Sequence, residues 1–199
     1  MSDENNPTAL SLPALQAGDK AEFARLVEAY SGSIYRMTLN MVNDTQDAED
    51  VLQNTFLQAF NHLRDFEGRS SLSTWLYRIA VNEALMLIRR RSPNQFSIDE
   101  DTYTEEGEQE PLQIVDWCCL PENELLSLET RKKLDSAIQR LSPALRTVFL
   151  LRDVEGLSIK ETAEVLNLNE SVIKTRLLRA RLHLRELLTA YFRDQIAEK

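Results

Sequence analysis

The chain has 199 residues, 5 glycines and a formal net charge of −9. That length suits one mid-sized domain or two small ones, and a composition led by Ala, Leu, Glu and Arg favours helix over sheet. No run of about eighteen apolar residues exists to form a spanning helix. The acidic, polar start Met1-Ser2-Asp3-Glu4 lacks the basic and apolar parts of a signal peptide, so a cytoplasmic protein with no membrane insertion is expected.

The charge is unevenly placed. Residues 1–91 carry 9 basic and 12 acidic side chains, residues 92–126 carry 0 and 10, and residues 127–199 carry 14 and 10. One short segment therefore holds the whole acidic excess, and the last third is net basic. These boundaries divide the chain into two small helical domains, 1–91 and 127–199, joined by an acidic flexible linker over 92–126.

In the first part, Phe23, Leu26, Val27, Tyr30, Ile34, Tyr35, Thr38 and Met41 recur at three- and four-residue steps and predict a helix from Ala21 to Val42. Asn43-Asp44-Thr45 breaks it. Asp44 is a good N-cap for a second helix, whose apolar stripe is Val51, Leu52, Thr55, Phe56, Ala59, Phe60 and Leu63. Asp47, Asp50, Gln53, Asn54 and Gln58 fall on its other face. Phe66 to Ser71 reads as a loop, and Ser71 or Ser73 caps a helix from Thr74 to Arg91.

The linker begins at Ser92-Pro93-Asn94 and contains Asp99-Glu100-Asp101 and Glu105-Glu106-Gly107-Glu108, too acidic and too poor in apolar groups to order itself. A small apolar cluster, Ile114-Val115-Asp116-Trp117, follows. The adjacent Cys118 and Cys119 have no CxxC spacing or neighbouring His, and read as free thiols rather than a disulfide or metal site.

Four helices are predicted after the linker. They span Leu125–Leu141; Pro143, capped by Ser142, to about Val154; a third opened by the capping box Ser158-Ile159-Lys160-Glu161; and Glu170 to about Phe192. The last two, joined at Asn167-Leu168-Asn169, have helix-turn-helix form, with small Ala163 allowing close approach. From Glu170 to Arg185 there are five basic residues and one acidic. A helix apolar inside and basic outside suits the major groove, although an amphipathic surface helix would share that pattern.

The string Phe66-Glu67-Gly68-Arg69-Ser70-Ser71-Leu72-Ser73-Thr74-Trp75-Leu76-Tyr77-Arg78-Ile79-Ala80-Val81-Asn82 gathers aromatics, hydroxyls, an amide and arginines, the groups that hold unstacked bases and a strand backbone. On residue chemistry alone, an ordinary core Trp and Tyr with solvated arginines is the stronger reading.

A resemblance decides between these readings. Phe66 to Asn82 resembles the promoter-melting segment of the sigma-2 domain in extracytoplasmic-function (ECF) sigma factors of the sigma-70 family. Asp47-Ala48-Glu49-Asp50-Val51-Leu52-Gln53-Asn54-Thr55-Phe56 is similar to that family's polymerase-binding helix. Leu157 to Arg181 resembles its sigma-4 helix-turn-helix. The three motifs stand in the family's order.

The resemblance implies a sigma factor rather than an enzyme, with no cofactor. Its implied partners are core RNA polymerase (through the largest-subunit clamp helices and the flap), promoter DNA and an anti-sigma factor. It assigns Asp47, Asp50, Gln53 and Asn54 to the clamp helices. Ser70, Ser71, Leu72, Trp75, Arg78 and Asn82 fall to the melted −10 strand, and Lys174, Thr175, Arg176, Leu178 and Arg179 to the −35 duplex. The acidic linker is implied to occupy basic channels of the polymerase. Ser171 and Val172 depart from the family's frequent Gly and Thr, and Val172 cannot donate to a phosphate; Met86 stands where many members have a polar residue. A stand-alone regulator and a helical interaction protein are the rival readings. His62 and His183 have no partner at metal or triad spacing and read as surface residues.

Overall fold

The computed structural model describes residues 10–91 and 128–197. Every regular element in them is helical. In chain order these are α1 (Leu12–Gln16), α2 (Lys20–Val42), α3 (Thr45–His62), a short 3-10 turn (Leu63–Asp65), α4 (Leu72–Arg91), α5 (Leu128–Gln139), α6 (Pro143–Phe149) continuing into a widened turn (Leu150–Val154), α7 (Ile159–Leu166) and α8 (Glu170–Ala197). The acidic segment, its apolar cluster and the cysteine pair lie outside the described residues.

Side chains set most of the helix ends. Asp19 Oδ1 accepts from the Ala21 and Glu22 amides at 2.8 and 3.2 Å and opens α2. Asn43 closes α2 at φ 57°, a left-handed conformation that Asn tolerates, and Asp44 Oδ1 then takes the Asp47 amide at 3.0 Å to open α3. Ser71, not Ser73, caps α4: its Oγ accepts from the Thr74 amide at 3.0 Å. Ser158 and Glu161 form both bonds of a capping box, at 3.1 and 2.8 Å.

Helices α2, α3 and α4 pack on one another through Leu26, Ile34, Met37, Met41, Val51, Phe56, Ala59, Leu76, Ala80, Val81 and Ala84. Their buried threonines remain satisfied within their own helices, Thr38 Oγ1 donating to Ile34 O at 2.9 Å and Thr55 Oγ1 to Val51 O at 2.7 Å. The same core continues into the second half through Ile138, Leu141, Leu150, Leu151, Leu157, Val165, Ala180 and Leu184. A smaller cluster, Val148, Ala163, Ile173 and Leu177, holds α6, α7 and α8 together.

Three details differ from the sequence reading. Helix α1 was not expected; its Leu15 is buried, and Ser11 with Pro13 supplies its start. The helix expected to run to Val154 stays regular only to Phe149, then widens: the Glu155 amide bonds back to Leu150 O at 2.9 Å and the Leu157 amide to Leu151 O at 3.0 Å. Leu150 and Leu151 are both buried in the core at this wide turn. Phe60, expected inside, is 43% exposed and rests edge-on against Phe23 with centroids 5.0 Å apart.

Candidate nucleic-acid interface

The outer face of α3 presents Asp50, Gln53 and Asn54 to solvent, with Leu57 beside them at 62% exposure. They recur at three- and four-residue steps, so they share one face. Asp47 does not belong to it. It is 6% exposed, and Arg91 at the end of α4 grips its carboxylate, Nη2 donating to Oδ1 at 2.6 Å and Nη1 facing Oδ2. The first turn of α3 lies against the end of α4, so Asp47 points inward. Leu57 escaped the sequence reading, although a large apolar residue off the buried stripe was its visible signal.

The loop before α4 is held in place from α1. Gln16 Nε2 donates to Phe66 O at 2.7 Å, and the Phe66 ring lies 5.1 Å from that of Trp75. Gly68 turns the loop at φ +69°. Ser71, Trp75, Arg78 and Asn82 then follow at steps of four, three and four and form one stripe along α4. Ser71 and Asn82 are exposed, while Ser70, Leu72, Trp75 and Arg78 are half-buried. Leu72 and Trp75 also pack against the core. The stripe thus combines an apolar wall with hydroxyl, amide and guanidinium groups. Ser71 has a structural task as well, since its Oγ caps the helix.

In the second half, Asn167 at φ 53° turns α7 into α8. Ile173, Leu177, Ala180 and Leu184 seat α8 on the core, and Lys174, Thr175 and Arg179 face outward. Leu178 is half-buried. Arg176 is only 9% exposed. It stands three residues after Ile173 and four before Ala180, so its stem runs along the inner face. Arg181 turns back instead, its Nε and Nη2 donating to Asp153 at 2.9 and 2.7 Å, and fixes α8 to the widened turn. His62 and His183 are both exposed. No helix among the described residues is long and apolar enough to cross a membrane.

Two helical units, the second carrying a helix-turn-helix whose last helix is basic, define a class of helical DNA-binding protein. Residues 26–93 match the family model of Sigma-70 region 2, and residues 131–184 that of Sigma-70, region 4. The chain is 34% identical over 174 residues to the ECF RNA polymerase sigma factor SigW of Bacillus subtilis, spanning 87% of this chain and 92% of that protein. It is 36% identical over 170 residues to the RNA polymerase sigma-H factor of Pseudomonas aeruginosa, spanning 84% and 86%. Its fold is similar to that of CnrH solved with the cytosolic domain of CnrY, with a TM-score of 0.65 at 24% identity over 90% of this chain and 95% of that one. It is also similar to the sigma factor RpoE of Bartonella quintana solved with the anti-sigma factor NepR, with a TM-score of 0.61 at 25% identity over 84% and 97%. The chain belongs to the ECF sigma factors of the sigma-70 family, and its function is promoter-specific transcription initiation.

Proposed function

We propose that the chain binds core RNA polymerase through the α3 face of Asp50, Gln53, Asn54 and Leu57. In this reading α4 holds the −10 element as a melted single strand, and α8 reads the −35 element as duplex. The domain limits follow: residues 1–91 bind polymerase and the −10 strand, residues 127–199 read the −35 element and meet the flap, and residues 92–126 join them. The protein acts by binding alone, in the cytoplasm, with no catalytic step and no cofactor. Likeness to a sigma factor solved with its anti-sigma factor supports a partner of that kind here.

The observation that carries this reading is the stripe Ser71, Trp75, Arg78 and Asn82 on one face of α4. A protein without a fuel nucleotide opens DNA by trapping a base that has spontaneously left the stack. Unstacking costs a few kcal/mol, so the trap must combine a packed wall with directional hydrogen bonds. Trp75 and Leu72 supply wall; Ser70 and Asn82 supply bonds; Arg78 supplies charge for the backbone. On α8, Lys174, Thr175, Leu178 and Arg179 supply donors and apolar contact for base edges and phosphates. The departure at Val172, which has no donor for a phosphate, shifts that load to its neighbours. Asp47 and Arg176, each largely enclosed, act through the positions of α3 and α8.

The test is transcription in vitro from a promoter library, with core polymerase alone and with core plus this chain, followed by mapping of start sites. The expected result is a set of starts that needs both proteins and shares two upstream elements. If the chain instead binds duplex promoters by itself and leaves core polymerase unaffected, it acts as a stand-alone regulator and the proposal fails.

A further inference from the structure

Helix α1 has five residues and buries one of them, Leu15. So short a helix has little stability of its own, and its place is set by its ties to the rest of the molecule. At its start, the Ser11 amide donates to Glu22 Oε1 at 2.6 Å. The other oxygen of Glu22 accepts from Arg25 Nη1 at 2.8 Å, so a carboxylate that is 9% exposed fixes α1 to the first turn of α2. At its end, Gly18 at φ +80° turns the chain into α2, and the Asp19 amide donates back to Ala14 O at 3.1 Å. With both ends held, Gln16 reaches across to Phe66, 50 positions further on, and its Nε2 donates to Phe66 O at 2.7 Å.

Phe66 is where the loop before α4 leaves the core. Its amide donates to Leu63 O at 3.3 Å, and its ring, 8% exposed, lies 5.1 Å from that of Trp75. Beyond it the contacts are local. Glu67 pairs with Arg69, Gly68 takes its left-handed turn, and the chain is caught again at Ser71, whose Oγ accepts from the Thr74 amide. The loop is thus pinned at Phe66 and at Ser71, with exposed residues from 67 to 69 between. The Phe66 carbonyl and the Glu67 nitrogen share one rigid peptide plane, so holding that oxygen sets the direction in which the loop departs.

We propose that Gln16 is a positioning residue for −10 recognition: through its bond to Phe66 O, α1 sets the course of the loop from 67 to 71 and so sharpens the choice of base made beside Trp75. This role rests on the −10 reading above and is played by a side chain outside the DNA-facing stripe. An unpinned loop spreads over many conformations, and only a fraction of them presents Ser70 and Ser71 to the right base. The apparent affinity for that base falls with the fraction, while looser conformations accept other bases, so discrimination falls as well. The amide suits the task because it donates without carrying charge into a half-buried contact beside the aromatic pair.

The test uses Gln16→Met, which keeps the length and removes the donor, and Gln16→Glu, which sets a carboxylate against the carbonyl. Each full-chain variant is assembled with core polymerase and transcribes the promoter library used to map the wild type, and core affinity is measured beside it. Losing one hydrogen bond between neutral groups should lower discrimination at one −10 position about fivefold in Gln16→Met, and the repulsive Gln16→Glu should lower it further. Preferences in the −35 element and core affinity should stay at wild type. An equal loss on every promoter, with the −10 preference intact, marks a merely structural bond and overturns the role. So does a wild-type −10 preference kept by both variants, which leaves the −10 reading standing. A wild-type holoenzyme with no −10 preference removes the reading and the role together.

Discussion

Asn82 is exposed on α4, seven residues beyond Trp75 on the same stripe, with its carboxamide available to a base edge. Asn82→Ala should therefore reduce promoter opening by about tenfold, relax preference at one −10 position and leave core binding intact. Permanganate footprints on duplex and pre-melted templates check this, since a pre-melted bubble should restore most of the loss. On α3 the side chains separate binding from folding. Asp50→Ala with Gln53→Ala should weaken core affinity while stability stays within about 0.5 kcal/mol, because both are solvent-facing. Asp47→Ala should do the reverse and cost about 1 kcal/mol in thermal melts, through loss of the half-exposed Arg91 pair. The exposure of Asp50, Gln53 and Asn54 was legible from period alone, whereas Asn82 was singled out by the family resemblance. The burial of Asp47 and Arg176 was not legible, because charge suggests exposure, and only the packed neighbour shows otherwise. For Asp47 that neighbour is Arg91, 44 positions away.

Helix ends were the most readable elements, since a cap needs only a local side chain and a local amide. Asp44, Ser142 and the Ser158/Glu161 box all cap where the spacing says they should. The short α1 was missed because five residues carry too little period, although Ser11 before Leu12-Pro13 was a usable signal. The widened turn was missed because the apolar period of this segment does not mark it. The capping box has a pH signature. Bonds from the Ser158 amide and hydroxyl hold the Glu161 carboxyl below its ordinary value of 4.5, because they favour the charged form. Its contribution to α7 is thus present above the unfolded pKa and is lost as pH falls through the lowered folded value. Thermal melts from neutral to acid pH should show that loss, and Glu161→Gln should flatten it; because Glu161 is largely solvated, the effect is modest. Ser158→Ala should cost about 1 kcal/mol at neutral pH.

At the scale of the molecule, the two halves meet through side chains that no period couples. Arg146 shows this best. Its Nη1 donates to Met41 O at 3.0 Å, and its Nη2 to Gln139 O and Leu141 O at 2.5 and 3.0 Å, so one guanidinium ties α2 to the α5–α6 turn. Burial pushes its pKa down from the ordinary value, and the three carbonyls compensate the buried charge. Arg146→Met should cost about 3 kcal/mol, read from the denaturant midpoint, since it strands acceptors in a partly dry contact. Two helical halves and their order were legible because each carries its own motif; their mutual packing was not, because it is set by carbonyls and surfaces more than 70 residues apart. Under the proposed function this chain opens promoters only as part of the polymerase. Permanganate footprinting of a mapped duplex promoter, with the chain alone, core alone and both together, tests it most directly. Reactive −10 thymines are expected with both proteins and none with either alone. Reactive thymines with the chain alone, or none in any mixture that nonetheless starts transcripts there, would contradict it.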